Sequence, residues 1–471
     1  MATRGRLLSP PTIAAVGCVA LALASLELPS GPTYDPYTWL IWGRDLAHMD
    51  LVTTGSGTSW KPLPAVLDAM LTPLGGGAVA GWLVVARAGG LFAVFMAFWL
   101  AWRLAAPGRR ALAGIVAGAT LALTHEWVRR NGVGDAEGLM AAFGLLAIDR
   151  HLDGRRGQAF ASLVAAGLIR VEAWPFVFAY GGWLWFASGR PRRGLLLAGA
   201  VLIPLLWFGG DWIGSGSLTT ASGRALHHIS GSPGASPHPA LAVAREGFHM
   251  LPLAAWVGVA AATMWGIARA RILLVIAAAA AVWTVIVAVM AQRGYPGLPR
   301  FLFMASALEA VLAGVGAALI AEALAAAVSR PRLRPARAVA AAAVCAAFAL
   351  AVAPDATRLP ADAAAIDKVA DMDNQLEIAV DQVGGTRAIL HCGRPATPWY
   401  TVTALAWDLG VGAKRVHSRP VGSRAVVFVP DRQDWDVRER CRRAVTRVTR
   451  LAPRRSGGAG SPQRGRSAAR T

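Results

Sequence analysis

Apolar residues in this chain are gathered into long blocks, separated by shorter polar stretches. Such blocks predict an α-helical polytopic membrane protein with about 11 transmembrane helices, since ~20 apolar residues cross a bilayer. The predicted segments are residues 11–28, 78–104, 111–127, 136–150, 157–170, 172–188, 194–210, 251–269, 271–291, 302–327 and 337–353. The first resembles a signal peptide, but no small-residue cleavage site precedes a soluble domain, so we interpret it as an uncleaved helix.

Composition supports a membrane protein. The chain is 55% hydrophobic and 16% charged, whereas a soluble domain carries about a quarter charged residues. The net charge of +20 does not indicate a nucleic-acid partner, because the arginines cluster between the apolar blocks as topology signals do. Membrane lipid is therefore the first predicted partner.

Charge alternates between successive polar stretches, and one set of stretches holds 17 arginines. These are Arg4, Arg6, Arg103, Arg109, Arg110, Arg150, Arg155, Arg156, Arg190, Arg192, Arg193, Arg269, Arg271, Arg330, Arg332, Arg334 and Arg337. The positive-inside rule places this set in the cytoplasm. We therefore expect a plasma-membrane protein with a cytoplasmic N-terminus, whose first long loop and C-terminal region face outward.

Three regions are predicted: a transmembrane core at 1–354, a small extracytoplasmic α/β domain at 355–451 and a disordered basic tail at 452–471. Within the α/β domain, helical patterns cover Ala361–Val383, Thr401–Leu409 and Val437–Leu451, and strand patterns cover Arg387–His391 and Arg424–Val429. An oxidising compartment permits a Cys392–Cys441 disulfide, although sequence alone does not establish that the two residues are close.

Asp35 opens the first outer loop, within an aromatic stretch. Pro36 begins a helical pattern that places Trp39 and Trp42 on one face, which is typical of a helix lying along the membrane with its tryptophans toward lipid. Asp35 is the predicted N-cap of that helix, with Pro36 at the first helical position. A capping carboxylate at the mouth of a cavity can also accept a proton, so the two roles are compatible.

Asp135 and Glu137 are the other candidate catalytic acids. They either favour the dipole of the helix that they begin or form a second acidic element facing the same cavity as Asp35. The candidate substrate-binding residues are Trp39, Arg44, Lys61, Arg87, Arg293 and Arg300. The arginines and Lys61 in this set could neutralise a phosphate. The alternative for those at the membrane surface is that they extend to the lipid–water interface without a function.

No cofactor is predicted with certainty. Asp35, Asp45 and His48 could bind a divalent cation, but their spacing matches no recognised metal motif, so no metal site is assigned. The Gly-, Ser- and Pro-rich stretch 211–250 is interpreted as a flap over the site. The sequence contains no Walker A motif, so energy from cytoplasmic ATP is not indicated.

Two short phrases connect this chain to a family. Gly167–Phe176 reads Gly-Leu-Ile-Arg-Val-Glu-Ala-Trp-Pro-Phe, and Gly294–Phe301 reads Gly-Tyr-Pro-Gly-Leu-Pro-Arg-Phe. Together with the long first loop and its acid, they resemble membrane-embedded glycosyltransferases of the GT-C superfamily. The first is similar to the Arg-Pro-Glu-Ala-Trp-Pro-Phe phrase of actinobacterial mannosyl- and arabinosyltransferases, with Val171 in place of the proline. The resemblance covers residues about 10–350.

The resemblance implies transfer of a sugar from a polyprenyl-phosphate donor to an extracytoplasmic glycan, lipid or protein acceptor of the cell envelope. Asp35 matches the loop-one acid that acts as general base in the family. Many members have a second, adjacent acid, which Asp135 or Glu137 would replace here. Two alternatives stay open, namely a GT-C-like scaffold without catalysis and a transporter or flippase for a lipid-linked substrate.

Overall fold

The computed structural model describes residues 9–450, apart from 56, 188–192, 227–228, 328–334, 423, 432–433 and 441–446. The predictions made for the tail at 452–471 and for seven arginines of the cytoplasmic set lie outside the described residues; these arginines are Arg4, Arg6, Arg190, Arg192, Arg330, Arg332 and Arg334. Described helices follow the apolar blocks closely, and the described strands all lie after residue 393.

Helices dominate the chain. They are α1 (Pro10–Ala24), α2 (Tyr34–Ala47), α3 (Pro62–Leu71), α4 (Ala78–Leu104), α5 (Arg110–Ala122), α6 (Trp127–Gly132), α7 (Glu137–Leu152), α8 (Arg156–Gly167), α9 (Trp174–Ala187), α10 (Arg193–Ser215), α11 (Thr220–Ala225), α12 (Pro239–His249), α13 (Leu253–Ala268), α14 (Arg271–Gln292), α15 (Phe303–Ala327), α16 (Pro335–Ala356), α17 (Leu359–Gln382), α18 (Gly385–Cys392) and α19 (Val402–Asp408). Proline stands in the first turn of α1, α3, α12 and α17, where no intrahelical bond needs its missing N–H.

Six stretches of the described chain are long and apolar enough to cross a membrane. They are Pro10–Glu27, Pro62–Leu104, Arg193–Ser215, Arg271–Gln292, Pro299–Ala327 and Ala338–Gln382. A seventh would be the bent pair Pro239–His249 and Leu253–Ala268. The protein is thus an α-helical polytopic membrane protein. Several of the eleven predicted segments correspond to shorter helices, such as α5 with 13 residues and α8 with 12.

Helix α15 lies at the centre of the helical core. It is buried along most of its length and packs against α5, α13 and α14. A Cβ at Gly316 would collide with the backbone of Gly258 on α13, and one at Gly314 with the carbonyl oxygen of Ala113 on α5. Small residues are needed at such contacts, since helix association in lipid depends on close packing of the backbones.

A small sheet ends the described chain, with strands β1 (Arg394–Ala396), β2 (Ala425–Asp431), β3 (Asp434–Arg440) and β4 (Arg447–Arg450) in sequential order. Strands β1 and β2 pair parallel, and the other pairs are antiparallel. The predictions of β2, α17 and α19 agree with the structure.

Two secondary-structure predictions for this region are wrong. Arg387–His391, predicted as a strand, belongs to α18, where Ile389 and Cys392 are buried three residues apart. Val437–Leu451, predicted as a helix, contains the end of β3 and all of β4. In β3, Trp435 and Val437 are buried two residues apart, which is the period of a strand.

Cysteine pairing agrees with the predicted disulfide as far as the described residues extend. Cys392 is disulfide-bonded, and Cys18 and Cys345 are free. The predicted partner, Cys441, lies outside the described residues.

Helix α2 differs from its prediction at both its start and its surroundings. Thr33 is the N-cap and Asp35 is the second helical residue, so the interpretation of Asp35 as a cap is wrong. The prediction of lipid-facing tryptophans is also wrong, because Trp39 and Trp42 are at most 1% exposed. Trp39 packs edge-on against Trp82, and the helix is enclosed by α3, α4 and α19.

The region after α16 packs onto this helix. The Tyr37 hydroxyl donates a hydrogen bond to Asp373 Oδ2 on α17 at 3.1 Å. Arg44 Nη2 donates to the carbonyl oxygen of Val411 at 2.9 Å. Helix α2 is therefore shared as a common wall by the helical core and the C-terminal region.

Candidate active site

A cavity of about 880 Å³ is bounded by the start of α2, the end of α10, α11 and the turn before α15. Its charged wall contains Asp35, Lys61, Arg170, Glu172 and Arg300, and its apolar wall contains Trp174, Trp207, Phe208, Leu226, Ile229 and Met290. Such a pairing of walls suits a ligand with a charged head and a hydrocarbon tail. Asp211 and Arg224, from the predicted flap, also line the cavity, and this stretch contains α11 and α12 rather than being irregular throughout.

Asp35 is held by two neighbours at the cavity wall. Thr58 donates a hydrogen bond to Asp35 Oδ1 at 2.6 Å, and Arg300 Nη2 donates to Asp35 Oδ2 at 2.7 Å. The carboxylate remains 18% exposed, so a ligand in the cavity can reach it. The first loop and the turn before α15, which are 265 residues apart, therefore meet at one ion pair.

Asp135 and Glu137 lie behind Arg300 and are at most 1% exposed. Asp135 Oδ2 is 3.1 Å from Arg300 Nη1, and Glu137 Oε1 is 4.0 Å from Arg300 Nε. Neither acid is among the described residues that line the cavity. They surround the guanidinium with negative charge and fix its direction, and Glu137 also begins α7, where an acid favours the helix dipole.

Arg170 forms a second ion pair in the same wall. Its Nη2 and Nε atoms bind the two carboxylate oxygens of Glu172 at 2.7 and 3.2 Å, and its Nη1 binds Glu137 Oε1 at 2.6 Å. Its guanidinium also lies 4.0 Å from the centre of the Phe301 ring, and Tyr295 hydrogen-bonds to it and to Glu172. All donors of Arg170 that face the cluster are engaged, which makes it a structural anchor.

Lys61 completes the charged wall. Its ammonium lies 3.7 Å from Glu137 Oε1 and 4.6 Å from the centre of the Trp39 ring. Burial lowers the pKa of Lys61, and the Glu137 carboxylate partly opposes this shift. The side chain is buried and held between a charge and a ring, so snorkelling to water does not describe it.

The charges around Asp35 set its basicity. Burial raises the pKa of Asp35, but the Arg300 and Lys61 charges and the hydrogen bond from Thr58 outweigh burial and hold the pKa well below its usual range. Burial raises the pKa of Asp135 despite the Arg300 charge, and the Glu137 charge adds to the rise. Asp35 is therefore ionised in the resting site and is a weak base while it is paired with Arg300.

Four of the predicted substrate-binding residues do not line the cavity in the described chain. Trp39 supports Lys61 from behind. Arg44 contacts Asp45 and the C-terminal region. Arg87 donates hydrogen bonds to the Gly132 carbonyl oxygen and to Ser25 and Ser30, so its predicted intramembrane partners are loop groups, and Arg293 is exposed.

Several site residues were not among the candidates from the sequence. Arg170 and Glu172 lie in the phrase Gly167–Phe176, and the sequence assigned neither of them a role in the site. Thr58 and Arg224 stand in glycine- and serine-rich stretches with no spacing that marks them. Arg224 Nη1 donates to the carbonyl oxygen of Thr58 at 3.4 Å and so supports the loop that holds Asp35.

The acids of the site do not form a metal centre among the described residues, where no group of three or more His, Cys, Asp or Glu side chains is arranged to hold an ion. Arg300 lies between Asp35 and Asp135 and occupies the space that a cation would need. The predicted trio of Asp35, Asp45 and His48 is also divided, because Asp45 pairs with Arg44 away from the cavity.

Comparison with solved structures identifies the fold. No family model and no curated protein matches the chain. The crystal structure of ArnT from Cupriavidus metallidurans bound to undecaprenyl phosphate aligns with a TM-score of 0.50 and 14% identity, and its apo form with 0.53 and 16%. Each alignment covers 89% of this chain and 92% of the other. This chain therefore has an ArnT-like fold of the GT-C type.

Proposed function

We propose that this protein is a membrane glycosyltransferase that takes a sugar from a polyprenyl-phosphate donor, with Asp35 as the general base. The observation that carries the proposal is the ion pair between Asp35 and Arg300, 2.7 Å long, in a cavity that is also lined by apolar side chains. Reaction of a lipid-linked phosphosugar needs a carboxylate, a phosphate-binding cation and a path for hydrocarbon, and this cavity offers all three.

Arg300 and Lys61 are the groups that would bind the donor phosphate. Both line the cavity, and Arg300 has a planar fork suited to phosphate oxygens. The polyprenyl chain would lie along the wall formed by Trp207, Phe208 and Ile229, of which Phe208 and Ile229 are 40% and 48% exposed. The ArnT structure with undecaprenyl phosphate supports a donor of this class.

The proposed reaction is a single displacement at the anomeric carbon. The acceptor oxygen forms a bond to that carbon while its proton passes to Asp35, and the bond between the anomeric carbon and the phosphate oxygen breaks. The electron pair of the broken bond stays on polyprenyl phosphate, where Arg300 and Lys61 stabilise the added charge. General-base catalysis of this kind contributes about 10²–10⁴-fold to the rate.

Donor binding would also activate the base. In the resting site Arg300 holds the pKa of Asp35 low. A phosphate that draws the guanidinium toward itself weakens its hold on Asp35, so the pKa of the carboxylate rises when the substrate arrives. The same arginine thereby couples donor binding to proton acceptance.

The site would face outward across the plasma membrane, with the N-terminus in the cytoplasm. The support is the positive-inside rule applied to the arginines at the other ends of the helices. No nucleotide sugar is available outside, and a lipid-linked donor that has crossed the bilayer would supply the sugar. A periplasmic reporter fused after residue 450 is expected to be active, and a reporter active only in the cytoplasm would invert the topology.

The acceptor, a glycan, a lipid or a protein, would enter beside Trp399. This side chain lines the cavity, is 62% exposed and lies 6.1 Å from the ring of Tyr34, the neighbour of Asp35. The resemblance to actinobacterial enzymes favours a mannosyl or arabinosyl donor.

The test is Asp35→Asn in purified protein supplied with polyprenyl-phosphate sugars. We expect sugar transfer to fall by about 10²–10⁴-fold with unchanged expression and membrane insertion. Asp45→Asn is the matched control, since Asp45 is on the same helix and pairs with Arg44 away from the cavity. Full transfer by Asp35→Asn would refute the catalytic assignment, and movement of labelled lipid across liposomes without transfer would favour a flippase.

A further inference from the structure

A second cavity, of about 400 Å³, lies at the other end of the helical core. It is lined by the start of α1, the last turn of α4, the start of α5 and the end of α7. Helix α7 joins the two regions, because Glu137 at its start contacts Arg170 and Lys61 of the charged wall described above and Arg150 near its end lines this second cavity. We call this second space the arginine cavity, after Arg103, Arg110 and Arg150.

Two of the three arginines are neutralised by acids. Arg103 pairs with Asp149 and with Asp153 Oδ1, the latter at 2.9 Å. Arg150 Nε donates to Asp149 Oδ2 at 3.0 Å, and its Nη2 lies 3.3 Å from Asp153 Oδ2. Two carboxylates thus serve two guanidinium groups, and Asp149 is fully buried beneath them.

Arg110 is the arginine left over. Its Nε atom is buried and has no hydrogen-bond partner among the described residues. A buried donor without a partner costs free energy, more so when it carries charge. The arginine cavity therefore has one positive charge more than its acids neutralise and an unused donor in a space large enough for a small anionic group.

The surroundings of the cavity match the interface of a bilayer. Trp99 and Trp102 line it, and Trp99 Nε1 is fixed by a 2.9 Å hydrogen bond to Asp149. Tryptophan is enriched at the depth of lipid headgroups. On the adjoining α1, Ile13 and Val16 are 58% and 65% exposed, which provides an apolar face beside the cavity for hydrocarbon chains.

We propose that the arginine cavity binds the phosphate of an anionic phospholipid, with the acyl chains along α1. Arg110 donates to the phosphate, and the Arg103 and Arg150 charges add to the attraction. One phosphodiester carries the single negative charge that the cavity lacks. This site is separate from the proposed donor site, and it does not depend on glycosyl transfer.

The experiment is native mass spectrometry of the full-length protein in detergent, with phosphatidylglycerol or phosphatidylcholine of identical acyl chains added in turn. Wild type should retain phosphatidylglycerol over phosphatidylcholine. The Arg110→Gln variant should retain about fivefold less phosphatidylglycerol, because that is the affinity that one arginine contributes near an anionic lipid. The control is Arg269→Gln, since Arg269 lies beside Trp265 and does not line the cavity. This control should behave as wild type.

Each arm has an outcome that overturns the proposal. Equal retention of the two lipids by wild type, or undiminished phosphatidylglycerol on Arg110→Gln, would exclude the site. Inorganic phosphate is added in a third arm, and if it is bound through Arg110 while phosphatidylglycerol is not retained, the ligand is a free anion. Arg110→Lys keeps the charge and should retain the lipid, so loss in both variants with a lowered melting temperature would mark Arg110 as structural only and reject the proposal.

Discussion

Helix α7 begins in one charged cluster and ends in another, and the two differ in the charge that is left over. Around the larger cavity four carboxylates and four cations balance, namely Asp35, Asp135, Glu137 and Glu172 against Lys61, Arg130, Arg170 and Arg300. In the arginine cavity Asp149 and Asp153 face Arg103, Arg110 and Arg150. In a balanced cluster a carboxylate can take a proton when its cationic partner is drawn away, whereas a surplus guanidinium can only bind an anion.

The largest difference in kcat between variants of the two clusters is expected for the replacement of Arg300. Arg300→Gln removes the cation that would stabilise the departing phosphate, so kcat is expected to fall by about 10²–10³-fold. Arg110→Gln, the corresponding change at the other end, should lower kcat by less than about threefold. Comparable losses in the two variants would show that both clusters serve the chemical step.

The free energy of unfolding should fall by similar amounts when a buried acid is removed at either end of α7. Glu137→Ala removes the ion-pair partner of Lys61 and leaves Arg170 with Glu172 alone, and Asp149→Ala leaves Arg103 and Arg150 with Asp153 alone. Breaking a buried ion pair in this way costs about 3–5 kcal/mol. The free energy of unfolding in detergent is expected to fall by this amount in both variants, and a small change in either would mean that its cluster is solvated.

The pH dependence of kcat/KM should distinguish the base from its neighbours. Arg300 and Lys61 hold the pKa of Asp35 below its usual range, so the acid limb of the wild-type profile should lie below about pH 4. With Arg300→Gln the pKa rises, and the acid limb of the residual activity should move to higher pH. An acid limb at the same pH in both proteins would remove Asp35 from the proton-transfer step.

Substitution of Trp399 should have a smaller, acceptor-specific effect. Trp399→Ala removes an exposed ring from the mouth of the cavity without touching the ion pair of Asp35. We expect KM for the acceptor to rise by up to about 10-fold, as for the loss of about 0.5–1.5 kcal/mol of stacking, with kcat and the donor KM unchanged. A rise in the donor KM instead would place the donor at this end.

The smallest expected effect concerns Asp408 in α19. Burial, followed by the charges of Glu377 and Asp381, raises the pKa of Asp408 to about 7. A carboxyl group whose pKa is raised on folding stabilises the fold fully below its unfolded pKa of about 4 and loses that contribution as the pH rises through 7. The wild-type melting temperature should fall across this window, and Asp408→Asn should flatten the fall.

Hydrophobic blocks predicted the helical core well, because lipid demands long apolar helices at any position in the chain. The same rule failed for α2. Trp39 and Trp42 have the pattern of an interfacial helix, but they are covered by Trp82 and Trp60. Local spacing records which residues share a face, and it does not record whether lipid or protein covers that face.

The candidate site was predictable only in part. Asp35, Lys61 and Arg300 stood out through position, rarity or resemblance, and they meet in one cavity. The two ion pairs of Glu137 were not predictable, because its partners Lys61 and Arg170 come from separate loops. Cap geometry was also missed at Asp35, since an Asp-Pro pair fits the second and third helical positions as well as the cap.

The hydrogen bonds between α2 and the C-terminal region allow force to pass from that region to α2. Thr403 donates to the carbonyl oxygen of Tyr34 at 3.0 Å, and Tyr37 is bonded to Asp373. Asp35 stands between these two attachment points on the same helical turn. A load on the C-terminal region, from a long polymer or a neighbouring protein, would pull directly on the helix that carries Asp35, so force on that region would change the position of the proposed base.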